Sequence, residues 1–200
     1  MPRSPAQNDA LRARTLERVL EAALAEFADH GYAAATVRGI AARAGVAVGL
    51  VYAHVDSKDA LLVACFARSM HQVRETFREA ASASPTSRLP TLVRAATRTV
   101  REHLPFWRLS YAVRTQPDVL AALGPALVAW EAEIAAALAA TLRDAGSPAA
   151  ELDARLLFAQ IDGVCQHYAQ QPEHYPLADV TDRLIARWTQ PPPPHEVPPA

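Results

Sequence analysis

The chain is poor in lysine and cysteine, and it has no uncharged hydrophobic run of membrane length. Among its 200 residues Lys58 is the only lysine, and Cys65 and Cys165 are the only cysteines. Two cysteines so far apart make no disulfide framework and fit a reducing compartment better. The most apolar stretch, PALVAWEAEIAAALAATL, carries Glu131 and Glu133, which argues against a membrane span. The opening residues, MPRSPAQNDALRART, lack the apolar core of a secretory signal. A soluble, cytoplasmic chain is expected. Charge of either sign is in no excess, the net being -1, so any contact with a polyanion must come from a local patch.

Catalytic signatures are missing as well. There is no G-x-S-x-G elbow, no lysine after a phosphate-binding glycine loop and no G-x-G-x-x-G. Glu131 and Glu133 are two apart on a helix, so they diverge and make no acid–base pair. Cys165, His167 and His174 match no strong zinc spacing. The sequence points to neither an enzyme nor a resident metal, and no cofactor is expected.

What is present is helical periodicity. Leu16, Val19, Leu20, Ala23 and Phe27 share one helical face. So do Leu62, Phe66, Met70, Val73 and Phe77, and then Leu89, Leu92, Val93, Ala96 and Val100. Leu123, Leu127, Trp130, Ile134 and Leu138 repeat the pattern, as do Leu152, Leu156, Ile161, Val164 and Tyr168, and finally Val180, Leu184 and Trp188. No segment alternates with period two, so the predicted fold class is all-α with about nine helices. Breaks are expected at His30-Gly31, in SASPTSRLP, at Pro105, Pro117 and Pro125, after Gly146, and in QQPEHYP. The terminal PPPPHEVPPA reads as a disordered or extended tail, residues 191–200.

The segment ARAGVAVGLVYAHVDSK, Ala42 to Lys58, carries the chemistry. Thr36 can cap a short helix that ends near Ala44. Gly45 supplies a left-handed turn, and Val46 fills the angle before a second short helix from about Val48 to Val55. Two short helices joined this way form a helix-turn-helix, whose second helix enters the DNA major groove. On a helical wheel Val51 and Val55 face inward, whereas Gly49, Ala53, Leu50 and Tyr52 face outward or lie on the flanks.

From about Leu16 to Leu62 the chain resembles the DNA-binding domain of the tetracycline-repressor (TetR) family. The carrying residues are LERVLEAALAEFADHGYAAATVRGIAARAGVAVGLVYAHVDSKDALL, with Thr36-Val37, Ile40-Ala41, Ala44-Gly45-Val46, Gly49, Tyr52, His54 and Ser57-Lys58 at family positions. The resemblance implies a flexible arm at residues 1–8, a DNA-binding domain at 9–56, and a helical effector-binding and dimerisation domain at 57–190. It implies phosphate contacts from Thr36, Tyr52 and Lys58, a close backbone approach at Gly49, and an arm bearing Arg12 and Arg14 along a groove. Family members often carry polar residues at the positions of Ala47, Val48, Leu50 and Ala53, and this chain does not. Base reading by Val48 and Leu50 is therefore expected to use thymine methyls, helped by Arg38 and DNA shape, and His54 is a further expected DNA-contacting residue.

Beyond the DNA reader, Phe66, His103, Phe106, Trp107, Tyr111 and Trp130 have the composition of an apolar effector pocket, which Asp162 and Gln166 would complete with polar groups. The same aromatics also suit ordinary core. By resemblance, Leu156, Gly163, His167, Leu184 and Trp188 would meet their copies in a homodimer, although these side chains also suit an intrachain core. The implied function is a ligand-responsive regulator, most commonly a repressor, on a palindromic operator. A DNA-binding protein of this fold without a small-molecule effector, and a helical carrier or enzyme that has lost DNA, are the alternatives.

Overall fold

The computed structural model describes residues 5–189; the predicted C-terminal tail lies outside them. Nine α-helices and no strand occur among the described residues: α1 (Pro5–His30), α2 (Val37–Ala44), α3 (Val48–Tyr52), α4 (Lys58–Ala81), α5 (Pro85–Glu102), α6 (Leu104–Arg114), α7 (Pro117–Asp144), α8 (Ala150–Gln170) and α9 (Leu177–Thr189). The helices gather into two compact units. The first holds the chain up to Arg74 together with Glu102–Glu133, and the second holds Glu75–Arg101 with the chain from Ile134 onward. This differs from the expected boundary near residue 57. The first half of α4, all of α6 and the first part of α7 cluster with the helix-turn-helix.

That core is built from Val19, Leu20, Ala23, Leu24 and Phe27 of α1, Ile40 and Ala41 of α2, Val51 of α3, and Leu61, Leu62 and Cys65 of α4. α1 packs on both α2 and α6. The core of the second unit is built from Leu89, Leu92, Val93 and Val100 of α5, Leu138 and Leu142 of α7, Ala154, Leu157 and Ile161 of α8, and Leu184 and Ile185 of α9. α8 packs on α9. Burying a Leu, Val or Ile side chain of this kind contributes about 1.5–3 kcal/mol each.

Several local expectations change in the folded chain. α1 is helical from Pro5, so the expected arm at residues 1–8 is helix over residues 5–8, and Arg12 and Arg14 are exposed positions on that helix. The break in SASPTSRLP is confined to residues 82–84, because Pro85 opens α5 and Pro90 lies inside it. Proline is tolerated in a first helical turn, where its missing N–H would have no partner anyway. Pro125 does not cut the chain either but lies within α7. Pro125 and Ala121, whose carbonyl would have accepted the missing bond, are both exposed, so water can serve that carbonyl. α7 is long and apolar enough by length and composition to cross a membrane. Its buried positions Val119, Leu123, Trp130, Ile134, Leu138 and Leu142 nonetheless recur at helical spacing, as on a core-packing helix.

In α8 the buried face is Ala154, Leu157, Ile161, Cys165 and Ala169, while Leu152 and Leu156 are 71% and 54% exposed. The expected apolar face containing those two leucines is therefore not the one that the unit buries.

Candidate nucleic-acid interface

Local chemistry fixes the turn that presents α3. Thr36 precedes α2 in extended conformation, and its Oγ1 accepts from the Gly39 N–H at 3.0 Å. At the other end Gly45 adopts φ 63 and ψ 40, the left-handed region. Its N–H donates to the Ala42 carbonyl at 3.1 Å and the Val46 N–H to the Ala41 carbonyl at 3.0 Å, which together satisfy two carbonyls of the last turn. Arg18 of α1 donates through Nη2 to the Ala44 carbonyl at 2.5 Å, placing a cation at the negative end of α2. At Gly39 a Cβ would overlap the Glu26 carboxylate, which would have to swing aside. Glu26 and Asp29 in turn hold Arg43 at 3.3 and 2.7 Å.

α3 starts at Ala47 with no side-chain cap, as its sequence predicts, and ends at Tyr52 rather than Val55. The chain continues as a turn in which the His54 and Val55 N–H groups donate to the Val51 carbonyl. Val51 is fully buried and Val55 nearly so, which anchors the element. The opposite face is open. Val48, Leu50 and Tyr52 are 37%, 42% and 50% exposed, and nothing lies within 4 Å of where a Cβ at Gly49 would project. Thr36 and Arg38 are exposed beside it, and His54 is half-buried. The outward side of α3 is thus apolar apart from the Tyr52 hydroxyl.

Lys58 begins α4, just after Ser57, whose Oγ accepts from the Ala60 N–H at 3.0 Å. The Lys58 ammonium donates to the carbonyls of Tyr32 at 2.8 Å and Ala33 at 3.0 Å, and sits 4.6 Å from the Tyr32 ring centre. An ammonium has three donors, so one proton remains for a phosphate. Sequence reading gave this lysine a DNA role and missed its structural one. The Tyr32 hydroxyl donates to Asp59, and burial followed by that bond pushes its pKa well above the ordinary 10.0. Gln116, in the turn between α6 and α7, accepts from the Tyr32 N–H at 2.8 Å and donates to the Phe27 carbonyl at 3.0 Å. Neither Arg18 nor Gln116 carries a local sequence signal, since their partners are 26 and 84 to 89 positions away.

The expected effector aromatics lie in the first unit. Phe66 meets Trp130 edge to face at 5.3 Å, and Trp107 stands 6.3 Å from Phe106 and 5.8 Å from Tyr111. All five are buried, with the Arg68 guanidinium 4.2 Å from the Phe106 ring centre. His103 is exposed at the α5–α6 junction, and Asp162 and Gln166 are half-buried positions in the second unit. The Trp107 Nε1 is buried without a hydrogen-bond partner. The expected dimer residues divide. Leu156 and His167 are exposed, and His167 stacks on Tyr175 at 6.1 Å. Gly163 has nothing within 4 Å of a projected Cβ. Trp188 is half-buried and donates to Gln160 at 2.7 Å. Leu184 is only 8% exposed in the single chain, so it fills the core of its own unit and leaves the set of interface candidates.

A capped short helix, a left-handed glycine turn and a second short helix with its outer face open define a helix-turn-helix protein with a large helical remainder. Comparison with known proteins agrees. Residues 19–65 match the family model described as bacterial regulatory proteins, tetR family. The HTH-type transcriptional repressor KstR of Rhodococcus jostii (strain RHA1) is 33% identical over 85 residues, which cover 42% of this chain and 40% of that protein. The uncharacterized HTH-type transcriptional regulator YerO of Bacillus subtilis (strain 168) is 32% identical over 94 residues, covering 45% of this chain and 32% of that one. The matches thus span less than half the length of these curated relatives. A TetR-like transcriptional regulator from Rhodococcus sp. RHA1 shares the fold with a TM-score of 0.72 at 23% identity, over 94% of this chain and 96% of that one. Over residues 19–65 the chain is thus similar to the tetR family of bacterial regulatory proteins.

Proposed function

We propose that the protein is a cytoplasmic transcriptional repressor that binds a palindromic operator as a homodimer and lets it go when a small, largely apolar effector binds. The observation that carries the DNA-binding part is the open face of α3, with Gly49 bare and Val48, Leu50 and Tyr52 exposed over a fully buried Val51. Tyr52, Thr36 and Lys58 supply phosphate contacts that position the protein without reading sequence. Val48 and Leu50 read thymine methyls, and Arg38 reaches a base edge or a narrow groove.

The effector part rests on a recess of about 300 Å³ in the second unit, lined by Phe77, Ala80, Leu92, Ala137 and Ala140 with Arg88 and Thr141 at its polar side. Apolar walls with few polar groups suit a small organic ligand. The Arg88 Nε is buried without a hydrogen-bond partner, so an acceptor on the ligand would satisfy it. The unpartnered Trp107 N–H offers the same kind of anchor among the buried aromatics. To act, the effector must bind the DNA-competent and DNA-released states with different affinity. The exposed leucines of α8, with Gly163 beside them on the helix, support the dimer. Two recognition helices roughly 34–36 Å apart then reach successive turns of duplex.

Fluorescence anisotropy with a pool of random duplex, followed by selection and sequencing of bound DNA, tests the reading. Affinity is expected to fall steeply as salt rises, and the selected site to be an inverted repeat rich in thymine. Absence of duplex binding at low ionic strength would overturn the proposal. Duplex binding that no small apolar compound alters would favour a DNA-binding protein without an effector.

A further inference from the structure

A second concave site, chemically unlike the apolar recess, opens in the second unit. Arg94, Thr97, Arg98 and Arg101 fall at i, i+3, i+4 and i+7 along α5, so one helical face carries three guanidinium groups. Tyr168 of α8 and Leu177, Ala178, Thr181 and Asp182 of α9 close the opposite wall around about 390 Å³. Thr97 and Thr181 donate their hydroxyls to backbone carbonyls of their own helices, so the arginines and Tyr168 supply the donors that face a ligand.

These arginines are incompletely used. Arg94 reaches Asp182 through Nη2 at 3.0 Å, and Arg98 reaches Glu79 through Nη2. Each pair is roughly half exposed or more and joined by one nitrogen, whereas a guanidinium has five N–H donors. No partner of Arg101 occurs among the described residues. Cations late in a helix suit its dipole, which accounts for Arg101 on α5 but not for a matching concavity with a tyrosine opposite. The groove also differs from the proposed dimer face. At 100° per residue, Tyr168 lies about 120° around α8 from Leu156 and about 140° from Gly163.

We propose that this groove binds a small anion carrying two or more negative charges on phosphate or carboxylate groups. Arg101 and the free edges of Arg94 and Arg98 would clamp its phosphate or carboxylate oxygens, with Tyr168 donating a further hydrogen bond. The site goes beyond the repressor reading and does not depend on DNA binding.

Isothermal titration of the full chain with pyrophosphate, citrate and acetate tests it at near-physiological salt, where diffuse surface attraction is screened. Pyrophosphate or citrate is expected to bind saturably with one site per chain, and acetate not to. The stronger of the two tells phosphate from polycarboxylate chemistry. Arg101→Gln is expected to weaken that binding about tenfold or more, as loss of a charge-assisted pair should. Tyr168→Phe weakens it less, and Arg155→Gln, an exposed arginine elsewhere on α8, leaves it unchanged. Arg101 has no partner to lose among the described residues, so unaltered thermal melting should accompany its variant. The proposal fails if neither pyrophosphate nor citrate binds saturably, or if Arg155→Gln costs as much as Arg101→Gln.

Discussion

Gly45 carries the angle between α2 and α3 on one backbone conformation. An L side chain at φ 63 is strained, and a Cβ would also press on Arg18 Nη2 at 3.3 Å. Gly45→Ala is expected to destabilise the fold by about 1–2 kcal/mol. A chemical-denaturation midpoint equal to wild type would show that the turn does not need its glycine. Tyr32 has a pH signature. Its folded pKa lies above 10.0, so in alkali the unfolded chain gives up the proton first. The stability it contributes is complete below pH 10.0 and drains away as pH climbs towards the raised folded value. Tyr32→Phe removes that term, so the stability gap between the two proteins should narrow above pH 10. Parallel curves from pH 8 upward would contradict the assignment.

At the scale of the element, α3 is five residues long and cannot hold itself together by its own hydrogen bonds. It is held by Val51 in the core, by the Gly45 turn and by the turn to Val55. Its outward side chains are therefore free to change without cost to the fold. Val48→Ala with Leu50→Ala is expected to leave the melting temperature near wild type while reducing discrimination between selected and random duplex. Tyr52→Phe should lower affinity for both duplexes alike, because a phosphate contact carries no base information. Competition anisotropy separates the two outcomes, and equal loss of discrimination in both variants would refute the division of roles.

Across the whole molecule, the exposed leucines of α8 ask for a partner. Leu152 and Leu156 present apolar surface on a helix whose opposite face is already packed. If that surface joins two copies, Leu156→Glu should shift sedimentation from dimer towards monomer without unfolding the chain. An unchanged sedimentation coefficient would place any dimer contact elsewhere. Gln116 matters at the same scale, because it bonds the α6–α7 turn to the end of α1 and to the loop before α2. In an effector-responsive repressor this is a short route by which movement of α6 would reach the DNA-reading helices.

The helix-turn-helix was legible in the sequence because its determinants are local. Thr36 caps a turn three residues on, Gly45 alone fits the left-handed position, and the spacing of Ile40, Val51 and Val55 marks the buried side. Helical periodicity likewise set the all-α class and marked the last two segments as helices. Tertiary structure alone decided which of two apolar faces α8 buries, that Pro125 stays inside a helix, and that Leu184 is core. It also decided that Arg18, Lys58 and Gln116 brace the helix-turn-helix and the end of α1, and that three arginines of α5 share a groove with Tyr168. Each depends on a neighbour tens of residues away, and a linear pattern of polarity cannot say which distant surface will cover a helix face or which carbonyl a long side chain will reach.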